Sequence, residues 1–291
     1  MLNSGVLLLS TFSLLTGFGG YFVKITHGIN SQQILFFRSV LACIFLFGVA
    51  FFTKKIHELK FRYPFATILM GAVEGLSIYF YYLALEKTTI ANTTLLVYTA
   101  PIFSVIFAAI FLHEKVEKRT ILGILASFIG VIIVSNPAKF SLNPEHMYGS
   151  IFALLGGLFY SAMAISSKSV TEKTTPLYAA FWQYFVILIL SSFFIFPVSS
   201  KLVTNNLISL LYLGIVAGGF AFLLYMNGIK QVKGQIIQVI TMLEIVVASL
   251  SGFILLKEPI DANAVIGGVF IIIGIFIVSS KKKSLPDNNQ K

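Results

Sequence analysis

A repeated pattern is the strongest constraint on the fold of this chain. Residues 84–135 and residues 228–279 align without a gap at an offset of 144 positions, and the same offset extends towards both ends of the chain. Internal repetition of this kind indicates a fold built from two copies of one structural unit. The residues that the two copies share include Glu114 and Glu258, Gly123 and Gly267, Gly130 and Gly274, and Ser135 and Ser279.

The composition is too apolar for a protein that folds in water. Hydrophobic residues make up 57% of the 291-residue chain, whereas soluble domains contain roughly 45–50%, and the mean hydropathy is +0.91. The apolar residues fall in runs of about 20, the length that a membrane-spanning helix needs. We therefore expect an all-α, multi-pass protein of the cytoplasmic (inner) membrane, surrounded by membrane lipid.

Ten apolar runs predict ten transmembrane helices, and their short polar connections leave no room for a soluble domain. The predicted organisation is a first five-helix repeat over residues 1–140, a second over residues 147–280 and a basic cytoplasmic tail over residues 281–291. The predicted helices, one to ten, are Ser4–Val23, Gln33–Thr53, Pro64–Leu85, Asn92–Leu112, Arg119–Ser135, Tyr148–Ser167, Leu177–Pro197, Asn206–Ile229, Gln235–Leu256 and Asn263–Ser279.

Basic residues are distributed unevenly between the two sets of connecting segments. Because Lys and Arg collect in cytoplasmic loops, the richer set, which includes both termini, is predicted to lie in the cytoplasm. Topology then accounts for the net charge of +10, and no nucleic-acid partner is expected. The richer set holds Lys54, Lys55, Lys60, Arg62, Lys115, Lys118, Arg119, Lys168, Lys173, Lys230, Lys233, Lys281, Lys282, Lys283 and Lys291, and the poorer set holds Lys24, Lys87, Lys139, Lys201 and Lys257.

The odd number of helices in each repeat has a topological consequence. The two copies must enter the membrane from opposite sides, which makes them an inverted repeat. Many secondary transporters have this plan, with a substrate site near the bilayer midplane between the copies and alternating access to it. The pattern predicts a small-molecule substrate. It leaves open the substrate, the direction, the coupling ion and the choice between monomer and homodimer.

The repeated segments also resemble a known family. The signature consists of Ala84, Pro101, residues 111–114, Gly123 and Gly130 in the first copy, and of residues 255–258, Gly267 and Gly274 in the second. Over essentially the whole chain it is similar to the EamA family of the drug/metabolite transporter superfamily, whose members carry amino acids, nucleosides, cofactors or drugs. The resemblance implies a central cavity lined mainly by helices three, four, eight and nine. Members often have a Glu-Pro pair where this chain has Glu244-Ile245, so a bend in helix nine is left open.

Three charged residues lie inside predicted helices: Arg38 in helix two, Glu74 in helix three and Glu244 in helix nine. Each such charge costs several kcal/mol in hydrocarbon unless it is paired or hydrated, so intramembrane charges usually serve a function. Glu74 lies ten residues into its helix, which at 1.5 Å per residue is about 15 Å deep and near the midplane. Two interpretations are open, because Glu74 either pairs with Arg38 to fix helix packing or faces a substrate. For Glu244 the sequence shows no intramembrane partner.

Polar residues recur on the helical faces that carry the two glutamates, and a third polar face is present on helix four. Together they predict a hydrated, tyrosine-lined cavity that binds a substrate with an amino or cationic group, partly through cation–π contacts. Glu74 and Glu244 are also the candidates for proton coupling, since buried carboxyl groups are common proton carriers. The predicted substrate-binding residues are Arg38, Glu74, Ser77, Tyr81, Thr94, Tyr98, Gln238, Thr241 and Glu244.

Other recurring residues are interpreted as structural. Glu114 and Glu258 each end a helix beside a lysine and are expected to hold the turn into the next helix. Pro101 weakens the hydrogen-bond ladder of helix four, and small residues at regular spacing permit close helix contacts. The predicted structural residues are Pro101, Glu114, Gly123, Gly130, Glu258, Gly267 and Gly274.

The function predicted from these features is secondary active transport of a small metabolite, either an amino acid or a related amino or cationic compound. A broad-specificity drug or cation exporter is the alternative within transport. A receptor or scaffold would not need Glu244 at the midplane, and an intramembrane serine enzyme would need a histidine inside a helix. The four histidines all fall in predicted loops, and Cys43 is the only cysteine. No enzymatic activity, metal site or cofactor is therefore expected.

Overall fold

The computed structural model describes residues 4–136, 143, 146–193, 199–257 and 262–280, with the side chains of residues 90 and 91 excepted. Every regular element within those ranges is helical. The helices of the first copy are α1 (Ser4–Lys24), α2 (Ser31–Phe52), α3 (Pro64–Lys87), α4 (Ile90–Val97 and Ala100–Phe111) and α5 (Lys118–Val134). Those of the second copy are α6 (Met147–Lys173), α7 (Pro176–Ser192), α8 (Leu207–Ile229), α9 (Gly234–Thr241 and Leu243–Leu256) and α10 (Ala262–Ser279).

Eight of these segments are long and apolar enough to cross a membrane. The other two, α5 and α7, have 17 residues each, or about 25 Å at 1.5 Å per residue. The predicted end of helix seven at Pro197 and the predicted basic tail at 281–291 both lie outside the described residues.

Local sequence signals start several of the helices. Asn30 and Gln33 form a reciprocal capping box at the start of α2, which satisfies backbone N–H groups that have no partner within the helix. Thr89 and Thr175 cap α4 and α7 by accepting a backbone N–H three residues further on. Pro64 occupies the first turn of α3, where its missing N–H is not needed.

Both α4 and α9 are interrupted at the same position of the repeat. In α4 the helix stops at Val97 and resumes at Ala100, so that Pro101 sits in the first turn of the second piece. In α9 the interruption is at Met242, which is the equivalent of Tyr98 at the offset of 144. The helix is therefore interrupted two residues before the Glu244-Ile245 pair, without a proline there.

The helix contacts are those expected when two equivalent units pack face to face. α1 packs against α8 and, in exchange, α6 packs against α3; α2, α4 and α5 pack against their own equivalents α7, α9 and α10. Glycines allow the closest of these contacts, the crossing of α5 and α10. A Cβ added to Gly130 or to Gly267 would lie 2.5 Å from the carbonyl oxygen of the other residue. The crossing therefore needs residues without a side chain.

Two basic residues that were predicted to follow helix six in a cytoplasmic loop, Lys168 and Lys173, lie within α6. Lys168 is also buried. Its ammonium group donates to the carbonyl oxygens of Ile229 (3.1 Å) and Val232 (2.8 Å) and forms an ion pair with Glu172 at 3.0 Å. Lys168 thus binds carbonyl groups at the end of α8, where a cation is favourable.

Candidate functional site

The candidate site is a cavity of about 240 Å³ in the middle of the helix bundle. It lies at the depth where α9 is interrupted, and both copies of the repeat contribute to its walls. Six of the nine predicted binding residues line it. The complete lining is Phe12, Thr16, Arg38, Glu74, Ser77, Ile78, Tyr81, Val97, Tyr98, Tyr160, Met163, Phe222 and Glu244.

Arg38 enters the cavity from α2 and is held by an aromatic residue of α7. One terminal nitrogen of its guanidinium donates to the Tyr184 hydroxyl at 3.1 Å, and the guanidinium carbon lies 5.8 Å from the centre of the same ring. Its Nε is buried and has no hydrogen-bond partner. Because a buried donor without a partner is costly, this nitrogen is available to an acceptor that enters the cavity.

Glu74 enters the cavity from α3, on the helical face that also carries Ser77, Ile78 and Tyr81. Its side chain is 7% exposed, and its Oε2 is buried without a hydrogen-bond partner. Arg38 and Glu74 share the cavity, yet no ion pair at 4.0 Å or less joins them. The interpretation of Glu74 as a packing partner of Arg38 is therefore wrong for this conformation.

Glu244 reaches the cavity just after the interruption of α9. It accepts a hydrogen bond from the Thr16 hydroxyl at 2.7 Å. The expectation that Glu244 has no intramembrane partner is therefore wrong, because the partner is a neutral hydroxyl on α1, 228 positions away. The Thr16 hydroxyl also lies 2.9 Å from the Phe12 carbonyl oxygen, so its single proton is shared between two acceptors and its side chain is oriented by its own helix.

Tyrosines from three helices surround the charged groups. Tyr81 of α3, Tyr98 of α4 and Tyr160 of α6 all line the cavity. Phe12 and Phe222 close one side and pack edge to face, with ring centres 5.7 Å apart. Aromatic faces of this kind attract cations.

Three predicted binding residues are outside the lining. Thr94 is on α4 one turn before Tyr98 and does not reach the cavity. Gln238 donates to the Tyr160 carbonyl at 2.9 Å, and Thr241 donates to the Gln238 side-chain oxygen at 3.2 Å. Gln238 and Thr241 thus join α9 to α6 and hold the backbone that carries Tyr160.

The sequence prediction missed seven lining residues, although the four helices that the resemblance implied supply eight of the thirteen lining residues. Besides α3, α4, α8 and α9, the helices α1, α2 and α6 also contribute. The repeat could have pointed to four of the missed residues, because they form two pairs that are equivalent at the offset of 144. These pairs are Thr16 with Tyr160, and Ile78 with Phe222. The missed residues are Phe12, Thr16, Ile78, Val97, Tyr160, Met163 and Phe222.

Glu114 lies at the cytoplasmic end predicted from charge, away from the cavity. Its carboxylate accepts the backbone N–H groups of Gly234 (2.7 Å) and Gln235 (3.2 Å) at the start of α9. It therefore caps a helix of the other copy instead of holding the turn into the next helix, and negative charge is favourable at that helix end. Its equivalent, Glu258, lies outside the described residues.

Serine catalysis requires a histidine beside the nucleophilic hydroxyl group. The Ser77 hydroxyl donates to the Gly156 carbonyl at 3.2 Å. His27 and His113 lie in loops, His57 lies in the short helix Ile56–Leu59, and His146 is the residue just before α6. None of the four lines the cavity with Ser77. In the part of the chain that the structure describes, no three His, Cys, Asp or Glu residues are grouped as a metal site would need.

Comparison with known proteins places this arrangement in a family. The model of the EamA-like transporter family matches residues 3–136 and again residues 147–280. An uncharacterized transporter of Clostridium kluyveri is 30% identical over 211 residues, 70% of this chain and 68% of that protein. An S-adenosylmethionine uptake transporter of Rickettsia bellii is 25% identical over 262 residues, 88% of this chain and 87% of that protein. A solved crystal structure has the same fold, with a TM-score of 0.75 at 19% identity, covering 94% of this chain and 93% of that one.

The matches agree with the apolar helices and with the cavity between the two copies. They identify a multi-pass protein of the cytoplasmic membrane with a small-molecule substrate. Both halves match the same family model, so the repeat that is visible in the sequence is also the unit of the family. The chain belongs to the EamA-like transporter family.

Proposed function

We propose that this protein is a secondary transporter that carries a small compound with an amino or cationic group across the cytoplasmic membrane. The observation that carries the proposal is the central cavity, in which two carboxylates, Glu74 and Glu244, lie among tyrosines within otherwise apolar helices. Buried charges of this kind are expensive in a membrane and are typical of transport pathways.

The architecture behind the proposal is ten spans arranged as two inverted five-helix repeats, over residues 1–140 and 147–280, with both termini in the cytoplasm. The exchange of contacts between α1–α8 and α6–α3 supports it, because equivalent helices make equivalent contacts in the two copies. Rocking of one copy against the other would open the cavity to one side of the membrane at a time.

The cavity contains groups that can replace the water molecules bound to a cation. The carboxylates compensate its charge, and the rings of Tyr81, Tyr98 and Tyr160 provide attractive faces around it. When no substrate is bound, protons can neutralise the same carboxylates. Exchange of a proton for a cation at Glu74 or Glu244 would then couple transport to the proton gradient.

The size of the cavity supports a small substrate. Its volume of about 240 Å³ is below the roughly 300–1,000 Å³ of sites for drug-sized ligands. The rickettsial relatives are named for S-adenosylmethionine, a compound that combines an amino acid with a sulfonium cation. That chemistry agrees with an acidic, tyrosine-lined site. The small volume favours a metabolite carrier over an exporter of many bulky cations.

A thermal-shift screen of the purified protein in detergent tests the proposal. Amino acids, polyamines, nucleosides, cofactors and lipophilic cations are each added to the wild type, to Glu74→Gln and to Glu244→Gln. A ligand at a hundred times its Kd should stabilise the wild type by about 2.7 kcal/mol. We expect amino compounds to give this shift and either substitution to abolish it.

Glu86→Gln is the matched control, because Glu86 lies on the same helix as Glu74 but is exposed and away from the cavity. The control should respond to ligand as the wild type does. A ligand that stabilises the wild type and both cavity variants equally would contradict the proposed role of the carboxylates. A strong response to many unrelated lipophilic cations and none to amino acids would favour the drug exporter.

A further inference from the structure

The charged groups of the cavity do not balance one another. Arg38 contributes one positive charge, whereas Glu74 and Glu244 contribute two negative charges when ionised. These are the only Lys, Arg, Asp or Glu side chains in the described lining. We infer that the substrate is an α-amino acid whose side chain carries a second positive charge, with its carboxylate bound by Arg38. This inference rests on the proposed function and names the substrate class of the same site.

The hydrogen bonding of Arg38 argues for an anionic group on the substrate. Tyr184 satisfies one terminal nitrogen and orients the guanidinium, yet Nε is buried without a partner. No carboxylate of the protein pairs with Arg38 within 4.0 Å in the described part of the chain. A guanidinium that is held in position and has an unpaired N–H group is suited to bind a carboxylate, because it donates short, charge-assisted hydrogen bonds to the carboxylate oxygens.

The missing hydrogen-bond partner of Glu74 argues for an ammonium group on the substrate, close to the substrate carboxylate. Its Oε2 is buried without a partner, and its side chain is 7% exposed. Arg38 and Glu74 lie on α2 and α3, and both of these helices pack against α7. In an α-amino acid the carboxylate and the ammonium group are attached to one carbon, so they need neighbouring partners of opposite charge. We assign these roles to Arg38 and Glu74, which line the same cavity and each carry a buried polar atom without a partner.

Glu244 supplies the remaining negative charge from another wall of the cavity. It is on α9 and is oriented by Thr16 of α1. A neutral side chain on the substrate would leave an ionised Glu244 without a cation, and a simple diamine would leave Arg38 without an anion. Both losses are unfavourable because a buried charge without its partner keeps its full desolvation cost. When both carboxylates are ionised, a substrate with one anionic and two cationic groups satisfies all three residues.

Three compounds of nearly equal length separate these contributions: lysine, cadaverine and norleucine. Cadaverine lacks the carboxylate of lysine, and norleucine lacks its side-chain ammonium group. Kd is measured for each by isothermal titration of the wild type, Arg38→Gln and Glu244→Gln. We expect the wild type to bind lysine at least tenfold more tightly than either analogue, because every tenfold step corresponds to 1.4 kcal/mol and a missing buried partner costs at least that order.

The variants assign each preference to one residue. Arg38→Gln should abolish the preference for lysine over cadaverine and keep the preference over norleucine. Glu244→Gln should do the reverse. Each result is a coupling between one protein group and one ligand group, which a general loss of structure does not reproduce. The three affinities of the wild type test the inference even if a variant fails to fold.

Two outcomes overturn the inference in distinguishable ways. If cadaverine or norleucine binds the wild type as tightly as lysine does, the substrate class is wrong while transport of an amino compound still stands. If no amino compound binds the wild type and another class in the thermal-shift screen does, the proposed function fails together with the inference.

Discussion

The two copies of the repeat use their equivalent positions in opposite ways at the α5–α10 crossing and in the cavity. At the crossing the copies are identical in the residues that matter: Gly123 and Gly130 in α5 correspond to Gly267 and Gly274 in α10. Each of these glycines lies against backbone of the other helix. A contact between two equivalent helices imposes the same steric requirement on both, so the same residue type serves on both sides.

In the cavity the same positions differ. Glu74 corresponds to Gly218, and Arg38 corresponds to Trp182, whose indole nitrogen donates to the Leu59 carbonyl at 2.9 Å. Glu244 corresponds to Ala100, which is fully buried. Equivalent backbone positions therefore carry charge in one copy only.

Symmetry between the copies is kept where helices pack and is lost where the cavity is lined. Helix packing can be symmetric because each copy supplies the surface that the other needs. A substrate with two different ends needs a binding site with two different sides, which agrees with the different residues that the two copies carry in the cavity. Changes at the crossing should therefore affect stability, and changes in the cavity should affect binding.

The largest effect is expected from Gly267→Ala. The added Cβ would lie 2.5 Å from the Gly130 carbonyl oxygen, which belongs to backbone and cannot turn aside. Overpacking of this kind costs typically 1–3 kcal/mol, and the unfolding temperature in detergent should fall accordingly. Gly48→Ala is the control, since a Cβ there meets nothing within 4 Å and alanine favours a helix by up to about 1 kcal/mol. Equal stability of the two variants would contradict the importance of the glycine crossing.

A smaller effect, on binding alone, is expected from Thr16→Val. The substitution removes the hydroxyl that orients Glu244 and keeps the shape of the side chain. A hydrogen bond contributes about 0.5–1.5 kcal/mol, so the affinity for substrate should fall roughly three- to tenfold, as measured by titration, while the unfolding temperature changes little.

Thr11→Val is the matched control for Thr16→Val. The Thr11 hydroxyl makes the same kind of bond to its own helix, with the Leu7 carbonyl at 2.9 Å, and Thr11 is not in the cavity lining. Substrate affinity in this variant should equal that of the wild type. If both valine variants bind substrate with the same reduced affinity, the effect belongs to α1 as a helix and not to its contact with Glu244.

The smallest effect is expected at a charged contact between the copies outside the membrane. Glu117 precedes α5 and pairs with Lys233, just before α9, and with Arg119. The hydrogen bond from Lys233, reinforced by Arg119, lowers the pKa of Glu117 below its usual value near 4.5. The charged form is therefore favoured in the folded protein. The resulting stability is present at neutral pH and is lost as the pH falls from about 4.5 through the lowered pKa.

Glu117→Gln should therefore lower the free energy of unfolding at pH 7 by at most about 1 kcal/mol, since the contact is partly exposed and screened by salt. The difference between the variant and the wild type should shrink as the pH is lowered below about 4.5. Thermal unfolding across this pH range measures it. A difference that grows with acidity would show that another group is responsible.

Several features of the fold could be predicted without coordinates because they depend on local composition. Helix positions follow from apolar runs of sufficient length, and Pro64 and the capping residue Thr175 mark where helices begin. Six cavity residues could also be predicted, since a charge or a polar face in an apolar helix has few other uses.

Other features depend on which helices meet, and helical periodicity carries no information about that. The placement of Lys168 was missed because its partners are carbonyl groups at the end of α8, about 60 positions away in the chain. Thr94, Gln238 and Thr241 share helical faces with cavity residues, yet the direction in which their side chains turn depends on the neighbouring helix. Met242 interrupts α9 without any of the usual residue signals.

From the sequence alone we could predict the class of the protein, its two-copy organisation, its family and three charged residues inside apolar helices. These follow from composition, periodicity and repetition, which are properties of segments. Only the tertiary structure decided that Arg38 and Glu74 do not pair, that Thr16 binds Glu244 across 228 positions, and that Glu114 caps a helix of the other copy. Such contacts depend on how far apart the packed helices lie and how they are rotated, and both are determined by all the side chains of the bundle together.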